Sequence, residues 1–142
     1  MLGFLALLGA LAVAPPCETG LCSCAGRPDV PSALQSADAV FTGRVVSVRN
    51  THPWWRRESD PRRRVTLRVD RAWKGVDSRT VVMITRMIST CEFRFRRGES
   101  YLVFAHQRQD GGLGTSICSR TTTIDRAAGD VRDLGEPARR FR

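Results

Sequence analysis

The stretch Val65–Trp73, VTLRVDRAW, places Val65, Leu67, Val69 and Trp73 on one face and Thr66, Arg68 and Asp70 on the other. That period of two belongs to an extended strand with one buried side. Lys74-Gly75 ends it. Upstream, Val40–Val48 (VFTGRVVSV) is rich in β-branched residues and carries Gly43 inside it, the mark of a bulge or a bend. Downstream, Thr80–Arg86 (TVVMITR) forms a third strand. Arg97-Gly98-Glu99 turns into Tyr101–Ala105 (YLVFA), and Asp110-Gly111-Gly112 turns into Leu113–Cys118.

Helical signals are few. Ser32–Asp38 suits two turns, with Ser32 as N-cap and Gln35 completing a capping box. Asp125–Leu134 is a weaker helix, stopped by Gly135 and Pro137. Five strands in about 80 residues, with a bulged first strand and closely spaced turns, predict an all-β fold with one or two short helices. The expected architecture is a five-stranded Greek-key barrel of OB type. A β-sandwich is the runner-up, but it usually needs about seven strands.

A chain of 142 residues with 42% hydrophobic and 26% charged residues defines a single ordered domain. Its size excludes a kinase, a TIM barrel or a two-domain enzyme. Residues 15–134 are read as that domain, 1–14 as a leader and 135–142 as a basic, frayed tail. The formal charge of +9 favours acidic partners or anionic surfaces. Lys74 is the sole lysine, and an arginine skew of this kind reads first as a codon-composition effect.

Residues 1–14, MLGFLALLGALAVA, carry no charge and are too short for the roughly 20 residues of a bilayer span. They fit the apolar region of a secretory signal, with Ala10-Leu11-Ala12 as cleavage site. The basic region that normally precedes it is missing, which leaves room for a start upstream of Met1. A buried N-terminal helix is the weaker alternative, since no polar face exists. The expectation is an exported protein, secreted or held in a cell envelope, without a membrane span.

Cysteines stand at 17, 22, 24, 91 and 118. Export makes disulfides the first expectation, and the spacing is not that of a zinc site. Cys22 and Cys24 are too close to bond each other comfortably, so each reaches a distant partner. Cys17 is left over, as a free thiol, an intermolecular link or part of a removed segment. The chain is expected to be a monomer unless Cys17 cross-links it.

Catalytic patterns are missing: there is no G-x-S-x-G, no H-E-x-x-H and no paired carboxylate. His52 and His106 stand apart, and Glu92 and Glu99 read as surface charges. No enzyme, no cofactor and no metal of its own are expected. Arg56, Arg57, Arg62, Arg63 and Arg64, near Trp54 and Trp55, form a candidate patch for an extracellular polyanion. Single-stranded nucleic acid is a further alternative for an OB barrel, disfavoured by the expected compartment. The tryptophans are expected to fold back onto the barrel rim.

Four local patterns resemble the N-terminal domain of the tissue inhibitors of metalloproteinases, in the wider netrin-like family. They are Cys22-Ser23-Cys24-Ala25; Ala37-Asp38-Ala39-Val40-Phe41 with Gly43-Arg44-Val45; Val65–Val69 through Trp73-Lys74-Gly75; and Cys91, Tyr101-Leu102-Val103 and Ile117-Cys118 in that order. The resemblance covers residues 22–134.

The resemblance implies disulfides Cys22–Cys91 and Cys24–Cys118, each closing a long loop and contributing about 4 kcal/mol in the chain-entropy view. It implies inhibition of a metalloprotease through the edge Cys22, Ser23, Cys24 and Ala25. The α-amino nitrogen and carbonyl oxygen of Cys22 would chelate the target's catalytic zinc, with Ser23 directed into the specificity pocket. This requires Cys22 to be the mature first residue. Cleavage after Ala12 or Ala14 leaves its nitrogen a peptide amide, whose delocalised lone pair cannot bind zinc. The family's third N-domain disulfide and its C-terminal domain have no counterpart in these residues.

Overall fold

A computed structural model describes residues 22–57 and 59–142. The leader 1–14, its Ala10-Leu11-Ala12 site and Cys17 lie outside the described residues. The elements run α1 (Val30–Ser36), β1 (Ala39–Asn50), β2 (Arg62–Lys74), β3 (Thr80–Arg86), β4 (Ser100–Gln107), β5 (Leu113–Gly114), β6 (Thr122–Thr123), a 3-10 turn (Ile124–Arg126), α2 (Ala128–Leu134) and β7 (Arg139–Arg140).

The strands pair in the order β1-β2-β3-β5-β4, and β4 returns to β1, closing a five-stranded barrel of OB type. All of these pairings are antiparallel except β3–β5, which is parallel and rests on the single match Met83↔Leu113. β1 serves both β2 and β4, so it must coil. The register shifts at Val40/Phe41, Thr42/Gly43 and Val45/Ser47 let it do so. Gly43 is needed at the middle one: a Cβ there would stand 2.9 Å from the Arg68 carbonyl oxygen.

Two apolar layers result. The barrel interior holds Phe41, Val45, Val65, Leu67, Val69, Met83, Tyr101 and Val103. Outside the barrel wall, Val40, Leu102 and Phe104 pack against Ala33 and Ala37 near α1 and Ala127 before α2. β4 is therefore buried on both faces from Tyr101 to Ala105, which is why its sequence reads as an unbroken apolar run.

Four expectations change. Trp73 does not follow Val65, Leu67 and Val69 inward. The bulge opposite Val40 pairs Phe41 with Ala72, so Ala72 takes the inner position and Trp73 joins the helical layer, its indole N–H donating to Gly135 O at 2.9 Å. The first helix starts earlier, capped by Asp29, whose carboxylate accepts from Ser32 N at 2.7 Å; Pro31 fits the first turn, where no amide bond is lost. The fifth strand stops at Gly114, because the Thr115 hydroxyl donates to Phe104 O at 2.7 Å in place of a ladder bond. The basic tail is not frayed: β7 pairs with Arg71 and Ala72, and Phe141 packs against the barrel core. The second helix is a 3-10 turn followed by α2, ended as expected at Gly135, whose φ is 70°.

Candidate functional site

The edge Cys22–Ala25 has no regular secondary structure of its own, so its shape depends on what holds it. Cys22 is bonded to Cys91 and Cys24 to Cys118, the pairing that the resemblance implies. Cys22 is half-buried, while Ser23, Cys24 and Ala25 are exposed.

Both anchors are themselves fixed. Cys91 O accepts from Ile117 N at 2.8 Å, and Glu92 bridges Ser116 in antiparallel fashion, so the two anchoring segments run side by side. On the Cys91 side, Phe93 and Phe95 enter an edge-to-face aromatic cluster with Tyr101, with centroids 4.9 to 5.6 Å apart. The Tyr101 hydroxyl accepts from Arg96 N and donates to Glu99, each at 2.9 Å. Burial pushes the Tyr101 phenol above its usual pKa, and the donation to Glu99 adds to the effect. On the Cys118 side, the hydroxyls of Thr115, Ser119 and Thr121 form a cluster resting on Phe104 O.

A third restraint comes from Arg120. Its guanidinium binds both carboxylate oxygens of Asp130 and donates to Pro28 O at 2.7 Å, tying the arm to α2. The Asp130 hydrogen bond raises the already high pKa of Arg120. Beside the edge lies a groove lined by Gly26, Arg27, Ile117, Thr121 and Thr122. Arg120, Asp130 and the hydroxyl cluster join the site only in the structure, whereas Ile117 stands in the Ile117-Cys118 pattern of the resemblance. The run TSICSRTTT from Thr115 to Thr123 is the signal available for the hydroxyl cluster, because closely spaced Ser and Thr side chains bind local backbone.

The arginine patch is uneven. Arg62 is held by Asp60 and Asp110, and Arg63 donates to Asn50 at 3.2 Å. Arg56, Arg57 and Arg64 are exposed and lack a carboxylate partner among the described residues. The tryptophans do not fold back: Trp54 is 90% and Trp55 70% exposed, and they meet each other edge-to-face at 5.7 Å. Among the described residues no cluster of His, Cys, Asp and Glu has the arrangement of a metal site, and no helix is long and apolar enough to cross a membrane. Neither a protein-family model nor a curated protein sequence matches the chain.

Proposed function

We propose that the chain is an exported binding module, similar to the N-terminal domain of the metalloproteinase inhibitors, which occupies the active site of a zinc metalloendopeptidase with the edge Cys22–Ala25. One observation supports this above the others. The exposed Ser23-Cys24-Ala25 ribbon is clamped by two disulfides onto segments that are themselves hydrogen-bonded together. A ribbon ordered beforehand loses little entropy on docking.

A catalytic zinc keeps one coordination position open for water, and an N,O pair can displace that water. With Cys22 as first residue, its α-amine (pKa about 8) supplies the nitrogen and its carbonyl the oxygen. Ser23, next along and exposed, reaches the specificity pocket. The protein contributes the two ligand atoms and the rigid edge that presents them; the zinc belongs to the target.

The sequence Thr19-Gly20-Leu21 before Cys22 favours a second reading, a non-inhibitory extracellular interaction module, because Leu21 does not suit signal cleavage. N-terminal sequencing of exported protein, followed by titration against a panel of zinc endopeptidases, separates the two. Chains beginning at Cys22 that inhibit stoichiometrically support the first. Chains beginning at Val13 or Pro15 without inhibitory power leave the second.

A further inference from the structure

The β1–β2 hairpin reaches beyond the barrel. β1 leaves β4 after Arg44 but stays paired with β2 as far as Asn50↔Arg63. The connection that follows carries Trp54 and Trp55, whose exposures of 90% and 70% are the largest of any bulky apolar side chains described. Arg56 N donates to Pro53 O at 3.0 Å, so the two indoles sit on a hydrogen-bonded turn. Met87 N donates to Pro61 O at 2.8 Å, which brings the segment after β3 against the hairpin base. Ile88, 62% exposed, and Met87 therefore add to the same apolar end of the molecule.

Among the described residues, the exposed charges at this end that lack an ion-pair partner are all positive. Arg49, Arg56, Arg57 and Arg64 are exposed, and none has a carboxylate partner among the described residues. The described acidic groups nearby are already engaged. Asp60 binds Arg62 and Arg86, and Asp110 binds Arg62 and Arg108.

We infer that this tip docks the protein onto a bilayer surface bearing anionic phospholipid. Indole rings gain most at the boundary between headgroups and acyl chains, where the ring is buried and its N–H stays hydrated. Arginines around them meet the phosphates of an anionic leaflet. A soluble polyanion engages the arginines and leaves four exposed apolar side chains in water. A nucleic-acid strand needs ring faces on which successive bases stack, whereas these two indoles meet at 89°, one edge closing on the other's face. The inference does not depend on the Cys22 edge, which is built on other segments.

The test uses the full chain, with vesicles of phosphatidylcholine alone or with added phosphatidylserine, read by co-sedimentation and tryptophan emission. Trp73, hydrogen-bonded to Gly135, supplies a constant background. Residues 1–14 are common to all variants, so any binding they cause is the same in each. The expected result is binding that needs phosphatidylserine, with a blue shift of emission. W54S/W55S then weakens binding more than about tenfold and abolishes the shift, by loss of buried indole area. R56Q/R57Q weakens it about fivefold per arginine and lowers its salt sensitivity. Vesicle binding that is absent, or unchanged in W54S/W55S, overturns the inference. So does an emission shift produced by heparin or an oligodeoxythymidylate but not by vesicles, which would assign the tip to a soluble polyanion.

Discussion

The sulfur atoms of Cys22 and Cys118 lie 3.9 Å apart although they belong to different disulfides. A thiolate generated at Cys22 is therefore beside the Cys24–Cys118 bond. Attack on Cys118 forms Cys22–Cys118 and releases the Cys24 thiolate. In a Cys91→Ser variant that also carries Cys17→Ser, non-reducing peptide mapping should find both Cys24–Cys118 and Cys22–Cys118, with the free thiol divided between Cys24 and Cys22. Exclusive Cys24–Cys118 would show that the sulfurs do not communicate.

Tyr101 carries a second expectation. Tyr101→Phe keeps the ring in its aromatic cluster but leaves the Arg96 amide and the Glu99 carboxylate without their partner, which should lower stability by about 1–3 kcal/mol in urea unfolding. Burial raises the folded-state pKa of the phenol, so the neutral form is favoured by folding. Its contribution is full below the unfolded value of about 10 and is lost as pH rises from there through the folded value. As the chain's sole tyrosine, Tyr101 can be titrated directly by its phenolate absorbance. A midpoint at the free tyrosine value would contradict its burial.

Asp60 joins the base of the hairpin to the end of β3. The hydrogen bond from Arg86 above all, with Arg62 assisting, holds its carboxyl below the usual pKa. A depressed carboxyl stabilises the folded state above its unfolded value and stops doing so as pH falls through the folded one. Wild type should thus lose stability below about pH 4 more steeply than Asp60→Asn. In that variant amide exchange at Met87, which donates to Pro61 O, should quicken at neutral pH. Equal acid sensitivity of the two proteins would remove Asp60 from the account.

Gly75 is a point of close approach. Its φ is 66°, and a Cβ added there would stand 2.0 Å from Asp38 O. Gly75→Ala should therefore cost at least about 2 kcal/mol, since a left-handed conformation and a backbone clash are imposed together. The neighbouring Lys74 ammonium, which donates to Leu34 O and Gln35 O at the end of α1, would be displaced with it. Thermal unfolding measures the loss; a shift within a degree or two of wild type would exclude the clash.

The inhibitory reading makes a pH prediction of its own. A protonated α-amine has no lone pair, so inhibition by chains beginning at Cys22 should weaken progressively below pH about 8. Inhibition constants measured against a target whose own activity is flat over that range provide the check.

Alternation made β2 legible because one of its faces is buried along most of its length. The outward turn of Trp73 was not legible, because it depends on a bulge created where β1 bends to reach β4. Asp29 and Ser32 are both good caps by residue type, and the capping-box spacing of Ser32 and Gln35 favours the later start; the helix begins at the earlier one because proline is at home in a helix's first turn. The tail looked frayed from its charge alone, since its pairing partner lies in β2, far away in sequence. At the edge, Cys22 and Cys24 announced a clamp without naming their partners; only the resemblance implied Cys91 and Cys118. The Arg120–Asp130 pair and the serine and threonine cluster carry no motif, because their meaning arises from the crossing of separate loops.

The sequence separations of the two clamps, 69 and 94 residues, set an order on biosynthesis. The ribbon is among the first parts of the described chain to leave the ribosome, yet Cys24 has no partner until residue 118 has been made. Its final shape is sealed only after that point, by whichever oxidant the chain meets once Cys118 is available.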